Sequence, residues 1–567
     1  MYSGLDDPER WVLPAVLAEQ AARRPQATWI ETVDGASMRF GEAHADAARA
    51  AGHFARLGVA PGERVAVLAP NGLDFVRAWL GLTRLGAVAV LLNTELTGAF
   101  LRHQLVNCGA RLAVVARELL PALVQAAEGV AALERVLVVA EADGGQAADG
   151  RGGGGERGGE RGGERGAPGG GRAAVRPAAP PLATPGFATL PWSDWRGAEP
   201  FDGPMPQAQD IASVMYTSGT SGPAKGVLMP HAHCYLYGRG TIESVGLAED
   251  DRYYIVLPLF HANGLLMQLG ATLIAGCTAI VRARFSASAW LDDIRRHDAT
   301  VTNCLGALAA FVIAQPPSPR DREHRLRVVN SAPNPVELEA AFRERFGVPH
   351  VSSGYGMTEV NIPVWGRLGE SARGAAGWVY GRYFEVVVAD PKTDRVLPPG
   401  ELGELLVRPK VPFGFMAGYL DLPQQTVEAW RNLWFHTGDA ATLDADGRMT
   451  FVDRIKDCIR RRGENISATE VESAIETLAG IAEVAAFAVP SDIAGGEDEL
   501  MLAVVAAPGS TLAPEAVAAH ADRELPRFAR PRYVSIVDAL PKTATGKVQR
   551  AVLRARGAGA AWDRERG

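Results

Sequence analysis

The sequence is poor in cysteine and carries no excess of positive charge. Its five cysteines, Cys108, Cys234, Cys277, Cys304 and Cys458, are scattered through 567 residues with no CxxC pair. That excludes a disulfide framework and a zinc knuckle and suits a reducing, cytoplasmic setting. With 58 Lys and Arg against 65 Asp and Glu, a formal net charge of −7, there is no basic field of the kind that nucleic-acid binding needs, so no nucleic-acid partner is expected. The opening residues, Met1-Tyr-Ser-Gly-Leu-Asp-Asp7, lack the basic and apolar regions of a secretion signal, and no export is expected. The uncharged run Gly264–Val281 reaches membrane-span length, but Gln268, Gly270 and Gly276 interrupt it. A buried helix leading into a β-prone stretch at Thr278–Val281 accounts for it better, with no integral membrane span.

What is present is enough apolar material, 47% of the chain, for two or more hydrophobic cores. In the first part, strand-like runs (Arg64–Leu68, Val88–Leu92, Arg111–Val115, Arg135–Val139) alternate with helical patterns (Asp74–Leu85, Gly98–Asn107). This is the signature of βαβ units on a largely parallel sheet. Asp143–Gly186 then loses nearly all large apolar residues and repeats Gly-Gly-Glu-Arg from Gly154 to Arg165; we read residues 143–186 as a disordered surface insertion, with an interdomain linker as the alternative. Strand and helix patterns resume at Ile211 and run to about Asp453. A compact αβ pattern follows, with helices at Ala468–Leu478 and Pro514–Glu524 and strands at Val484–Val489 and Leu500–Ala506. The chain is thus expected to be an α/β protein with a large N-terminal domain of αβ-layered sheets, residues 1–455, and a small α+β C-terminal domain, residues 456–567.

Four segments carry chemistry. The first is Tyr216-Thr-Ser-Gly-Thr-Ser-Gly-Pro-Ala-Lys-Gly-Val227, placed after a strand-like run at Ile211–Met215. Small residues there let backbone N–H groups approach anionic oxygens, and Lys225 adds a cation. It is not a Walker A loop, because Lys225 lies between Ala224 and Gly226. The second is Ser353-Gly-Tyr-Gly-Met-Thr-Glu359, in which Tyr355 can stack on a purine, Thr358 can offer a hydroxyl to phosphate and Glu359 a hard oxygen to Mg²⁺. The third is Trp434-Phe-His-Thr-Gly-Asp439, with Arg454 fifteen positions on; an acidic side chain in such a turn can accept ribose hydroxyls. The fourth is Pro541-Lys-Thr-Ala-Thr-Gly-Lys547-Val-Gln-Arg550. Taken singly, the last three read equally as solvated turns and a surface lysine.

Together and in this order, the four resemble the adenylate-forming (AMP-binding) superfamily of acyl-CoA synthetases, peptide-synthetase adenylation domains and luciferases, in its acyl-CoA synthetase and carnitine-CoA ligase-like branch. The resemblance covers nearly the whole chain outside the Gly/Arg/Glu insertion. It implies a small, mobile C-terminal domain and a two-step reaction, in which a carboxylic acid and MgATP give acyl-AMP and pyrophosphate before the acyl group passes to a thiol. ATP, Mg²⁺ and coenzyme A are the implied cofactors. By the same resemblance Thr217, Ser218, Gly219, Thr220, Ser221, Gly222 and Lys225 form the phosphate loop, and Thr358 with Glu359 makes the phosphate and metal contacts, the metal being held by Thr220 and Glu359. Ala332, Pro333, Tyr355 and Gly356 flank adenine, Asp439 and Arg454 bind ribose, Lys456 is the interdomain hinge, and Lys547 reaches the carboxylate and α-phosphate. Two departures stand out: the phosphate loop reads Ser-Gly-Pro-Ala-Lys where many relatives place proline directly before lysine, and Asn330-Ser-Ala-Pro-Asn334 replaces a double glycine before Ala-Pro.

The acid pocket is expected around Pro258-Leu-Phe-His261-Ala-Asn-Gly264, with His261, Asn263, Gly306 and Gly354, and with further walls from Asn303–Phe311 and Val360–Trp365. His261 stands where amino-acid-activating relatives usually carry an aspartate, which disfavours free α-amino acids; a packing histidine is the alternative. Arg462-Gly-Glu-Asn-Ile-Ser467 resembles the loop that lines the pantetheine tunnel of acyl-CoA ligases, through Gly463 and Glu464. The same segment also reads as a capping box, Ser467 with Glu470. Catalysis is assigned to Lys547, Thr220, Glu359 and His261. The acceptor is coenzyme A or, alternatively, a carrier-protein thiol or another nucleophile; a silent nucleotide-binding homologue is the third reading, and a homodimer is the family habit.

Overall fold

The computed structural model describes residues 1–140, 186–217, 224–332, 336–371, 374–455, 459–461, 464–466, 468–490, 498–525, 529–542 and 546–566. The Gly/Arg/Glu insertion, Ser218–Gly222, Pro333, Lys456, Gly463 and Ser467 lie outside the described residues.

Three sheets make up the larger part. In the first, the strands Ile211–Thr217, Val88–Leu91, Arg64–Leu68, Leu112–Ala116, Arg135–Val139 and Ala188–Pro191 lie side by side in that order, all parallel. Lys225–Pro230 and Gly418–Tyr419 extend the edge antiparallel. The four strands from the expected βαβ region are buried along almost their whole length, as parallel strands covered on both faces must be. Helices Phe40–Arg56 and Leu73–Leu85 pack closely on one another because Gly81 has no side chain: a Cβ there would lie 2.5 Å from that of Ala50, and Leu73–Leu85 lies on the first sheet at Arg64–Leu68 and Val88–Leu91. The second sheet runs His350–Ser352, Val328–Asn330, Val301–Asn303, Arg252–Ile255, Thr278–Val281 and Thr28–Thr32 in parallel, with Ser37–Arg39 antiparallel at its edge. The third, wholly antiparallel, follows the order Gly354–Met357, Asn361–Trp365, Gly377–Val379, Arg448–Arg454, Phe435–Leu443, Gly403–Pro409 and Phe384–Ala389.

The uncharged run resolves into a π-helical turn at Asn263–Leu269, a helix at Gly270–Ala275 that ends on left-handed Gly276, and the strand Thr278–Val281. Among the described residues no helix is long and apolar enough to cross a membrane. After Arg454 the described chain forms a short hairpin, Ile459–Arg461 with Glu464–Ile466, and a four-stranded sheet of Ile481–Val489, Glu499–Ala506, Tyr533–Ile536 and Trp562–Asp563. Helices Ala468–Glu476, Pro514–Glu524 and Arg550–Arg556 accompany it. Ile459, Val471, Ile475, Leu500 and Val534 belong to a core of their own, separate from the one that joins the three sheets.

Candidate active site

The chain leaves the second sheet at Ser352 and enters the third at Gly354, so the carboxyl ends of Val301–Asn303, Val328–Asn330 and His350–Ser352 open beside the third sheet. Ligands of open parallel sheets bind at such ends.

The first motif is the hairpin between the last two long strands of the first sheet. Thr217 pairs with Lys225 and Tyr216 with Gly226, Thr217 Oγ1 donates to the Lys225 carbonyl at 3.4 Å, and His103 Nε2 lies 2.9 Å from the Ala224 carbonyl at the hairpin's return. The strand Lys225–Pro230 pairs in turn with Gly418–Tyr419, which places the Lys225 ammonium 4.1 Å from the centroid of the Tyr419 ring. The Tyr419 hydroxyl donates to Glu359 Oε1 at 3.0 Å. A cation of the first motif and a carboxylate of the second thus meet on opposite ends of one tyrosine.

The turn carrying Thr358 and Glu359 is held from several sides. His233 Nε2 lies 2.9 Å from the Thr358 carbonyl and Nδ1 lies 2.9 Å from that of Gly414. Tyr237 Oη donates to the Met357 carbonyl at 2.9 Å, and the Met416 N–H donates to the Glu359 carbonyl at 3.1 Å. Asn361, left-handed at φ 67°, donates through Nδ2 to the His233 carbonyl at 2.8 Å. Burial is the main influence on His233 and holds its pKa below the usual imidazole value, against the two carbonyls, which favour its charged form. Gly356 admits no side chain, since a Cβ would lie 2.3 Å from the Asn361 carbonyl oxygen.

Opposite, the buried Asp439 accepts a hydrogen bond from the Tyr355 hydroxyl and sits directly across the ladder from Arg454. Its turn needs the left-handed Gly438 (φ 68°). Thr437 Oγ1 accepts from the Asp439 N–H at 3.1 Å and donates to the Leu405 carbonyl at 2.7 Å. The Gly438 N–H donates to Glu404 Oε1 at 3.0 Å, and His436 Nδ1 lies 3.0 Å from Glu404 Oε2. The Tyr355 ring lies stacked against Phe451, 6.2 Å between centroids. Ala332 follows Ser331, whose N–H donates to the Ser352 carbonyl at 2.9 Å.

On the acid side, His261 keeps an exposed edge, yet the protein packed around its ring, Phe260 among it at 4.6 Å, holds its pKa below that of a free imidazole. Asn263 opens the π-helical turn, and its Oδ1 accepts from Asn303 Nδ2 at 2.7 Å and from Gln268 Nε2 at 3.1 Å. Gly306 begins the helix Gly306–Ile313, and Gly354 pairs with Trp365. Glu464 lies opposite Arg461 in the short C-terminal hairpin. Lys547 is exposed in a turn closed by the Lys542–Val548 bridge and by the Gln549 N–H, which donates to the Pro541 carbonyl at 2.8 Å. Arg550, beside it, grips both oxygens of Glu472 at 2.7 Å.

Sequence reasoning missed Tyr419, His233 and Glu404, and also Asn71. Asn71 donates to the Leu257 and Arg282 carbonyls at 3.0 and 3.1 Å and accepts from the Leu259 N–H at 2.7 Å, tying the first sheet to the segment that leads to His261. The Pro70-Asn71-Gly72 turn was the one available signal.

A family model described as AMP-binding enzyme matches residues 17–420, and one described as AMP-binding enzyme C-terminal domain matches residues 470–547. The crotonobetaine/carnitine–CoA ligase of Shigella dysenteriae is 30% identical over 518 residues, 89% of this chain and 91% of that protein. The crystal structure of ATP-bound MatB from Rhodopseudomonas palustris is similar with a TM-score of 0.78 at 25% identity, covering 96% of this chain and 99% of that one. The anthranilate CoA ligase AuaEII in complex with anthranoyl-AMP gives 0.78 at 25% identity, over 97% and 98%.

Proposed function

The chain belongs to the AMP-binding enzymes, and from that premise we propose that it is an ATP-dependent acid–thiol ligase, which adenylates a carboxylic acid with release of pyrophosphate and passes the acyl group to coenzyme A. The observation that carries this reading is the meeting of Lys225 and Glu359 on Tyr419. A triphosphate needs a cation on one side and a metal-binding carboxylate on the other, and two distant segments supply both. The names of the relatives, CoA ligases in two cases, support the thiol as acceptor, with a carrier-protein thiol as the alternative.

The residues fit the chemistry. The ring of Tyr355, with Gly356 beside it, is the adenine platform, and Asp439 with Arg454 takes the ribose. Glu359 and Thr220 would hold Mg²⁺, which neutralises phosphate charge when bound. His261, Asn263, Gly306 and Gly354 receive the acid. Attack of a carboxylate on an α-phosphate brings two anions together, so a cation must stand between them. One lysine at about 4 Å contributes roughly 4 kcal/mol at an effective dielectric near 20. Lys547 fills that role from a small second unit joined at Lys456, while Gly463 and Glu464 face coenzyme A after that unit has turned. A reducing, cytoplasmic setting suits Cys108, Cys234, Cys277 and Cys304, all buried as free thiols.

The test is ATP–pyrophosphate exchange over a panel of acids, with and without coenzyme A. Lys547→Ala is expected to lose on the order of a hundred- to a thousandfold in adenylation with its melting temperature unchanged. Near-normal exchange in that variant refutes the assignment. Pyrophosphate release without thioester moves the acceptor to another thiol, and ATP binding without turnover removes the enzyme reading.

A further inference from the structure

Helix His231–Val245 passes between the helix Gly270–Ala275, which continues the π-helical turn, and the strand Asn361–Trp365, and packs on both. It touches each through a glycine. At Gly238 a Cβ would lie 2.9 Å from the backbone nitrogen of Ala271; at Gly240 it would lie 2.5 Å from Trp365 Nε1 and 2.9 Å from Trp365 Cε2. Around the same indole stands Gly354, the cross-strand partner of Trp365, where a Cβ would come within 3.5 Å of Trp365 Cε3. The ring is 5% exposed. A large aromatic is therefore wedged between two positions that have no side chain, and the helix behind it cannot retreat, because Gly238 already rests on the backbone of Gly270 and Ala271.

Resting on the acid-activating reading above, we infer that the Trp365 indole is the end wall of the acid pocket, so that the acid taken is a short one. The argument is one of space. Gly354 is assigned to the pocket, and as cross-strand partners Gly354 and Trp365 present the same face of the sheet, so the indole covers the volume that the missing side chain of Gly354 leaves. An alkyl tail running past Gly354 would have to enter that volume, and the indole fills it. In a close-packed interior a ring held on two sides by backbone yields only at high cost.

The experiment measures kcat/KM in ATP–pyrophosphate exchange for straight-chain acids from acetic to decanoic, with the wild type, Trp365→Phe and Trp365→Ala, alongside melting temperatures. The wild type is expected to favour the shortest acids and to lose activity steeply as the chain grows. Each methylene that finds a buried place is worth about fourfold, so Trp365→Ala is expected to raise the octanoic-to-propionic ratio by at least on the order of tenfold, with Trp365→Phe between. The KM for ATP should stay put, which separates a change of pocket length from general damage. A wild type that accepts decanoic acid as well as propionic acid overturns the inference. So does a folded Trp365→Ala or Trp365→Phe whose chain-length profile matches the wild type. If Trp365→Ala fails to fold, the wild-type profile and Trp365→Phe still decide. Exchange with none of these acids sinks the inference; exchange with none of the wider acid panel either, despite ATP binding by calorimetry, sinks the acid-activating reading itself, whereas exchange with the wrong length profile sinks the inference alone.

Discussion

Deleting one oxygen, in Tyr419→Phe, tests the junction of phosphate hairpin and metal carboxylate with little else disturbed. The ring would remain under the Lys225 ammonium at the 4.1 Å spacing, and the β-pairing of Gly418–Tyr419 with the strand that begins at Lys225 uses only backbone. What is lost is the hydroxyl that donates to Glu359 Oε1 at 3.0 Å, between two side chains that are 7% and 5% exposed. A hydrogen bond to a charged partner is worth about 1.5–3 kcal/mol, so a factor of roughly ten to a hundred in whatever depends on the carboxylate's orientation. The expected result is a loss of that size in kcat/KM for MgATP, a higher Mg²⁺ requirement, and an unchanged KM for the acid. Tyr419→Ala should lose somewhat more, because the cation–π contact, worth about 0.5–2 kcal/mol, goes as well. The double variant Tyr419→Phe with Glu359→Gln should be no worse than Glu359→Gln alone, since the hydroxyl acts through that side chain. MgATP kinetics in Tyr419→Phe equal to those of the wild type, or full additivity with Glu359→Gln, would refute the reasoning.

Two other substitutions read the support and the acid stability of the same region. His233→Gln replaces two ring nitrogens on opposite sides of the ring by one terminal amide nitrogen, which cannot stand against both the Thr358 and the Gly414 carbonyls; it is expected to cost about 1–3 kcal/mol in chemical denaturation and to raise the KM for MgATP, whereas an unchanged KM would mean that the ring does not position the Thr358–Glu359 turn. His231 is buried without a hydrogen bond to Nδ1, and burial lowers its pKa from 6.5 to about 3. The unfolded chain binds that proton first, so the stability is complete above pH 6.5 and is lost as pH falls from there toward 3. By pH 5 the loss is about 2 kcal/mol. Urea denaturation at neutral pH and at pH 5 should show this drop in the wild type and a smaller one in His231→Phe; equal drops would refute the assignment.

Periodicity served best where the fold is regular. The apolar runs at Arg64–Leu68 and Arg135–Val139 are strands with those ends, and the run expected at Arg111–Val115 shifts by one residue to Leu112–Ala116. The strand before the phosphate loop continues two residues past Met215, to Thr217, because pairing with Lys225–Pro230 extends the ladder; the helix expected to reach Leu478 stops at Glu476. The antiparallel sheet was not legible. Its order is remote from chain order, and register shifts at Tyr355/Met357, Glu404/Leu406 and Ala440/Ala441 break the alternation that would announce it. At the site, residues whose chemistry is local could be read from the motifs: Lys225, Glu359 and Asp439. Tyr419, His233 and Glu404 could not, because a tyrosine after glycine or a histidine in an apolar helix has no meaning until register sets its neighbour.

The unread residues share one property that explains why the site lies where it does. Asn71 joins the first sheet to the segment before His261; His233 joins the helix after the phosphate hairpin to the Thr358 and Gly414 turns; Glu404 joins the strand Gly403–Pro409 to the turn that presents Asp439. Each bridges segments far apart in sequence and each is buried. Loops at the ends of strands have few apolar contacts of their own and would sample many conformations. A buried polar tie removes that freedom, because breaking it strands a desolvated donor or acceptor at about 1–3 kcal/mol each. The ties therefore fix the motif loops to within the tolerance that charge stabilisation demands. They also let the three sheets, rather than the loops, set the distance from Lys225 to Glu359 and from Tyr355 to Asp439. Conservative changes at His233 or Glu404 should accordingly weaken nucleotide binding, and one at Asn71 acid binding, before they unfold the chain, the reverse of what a plain packing residue such as Phe54 would do.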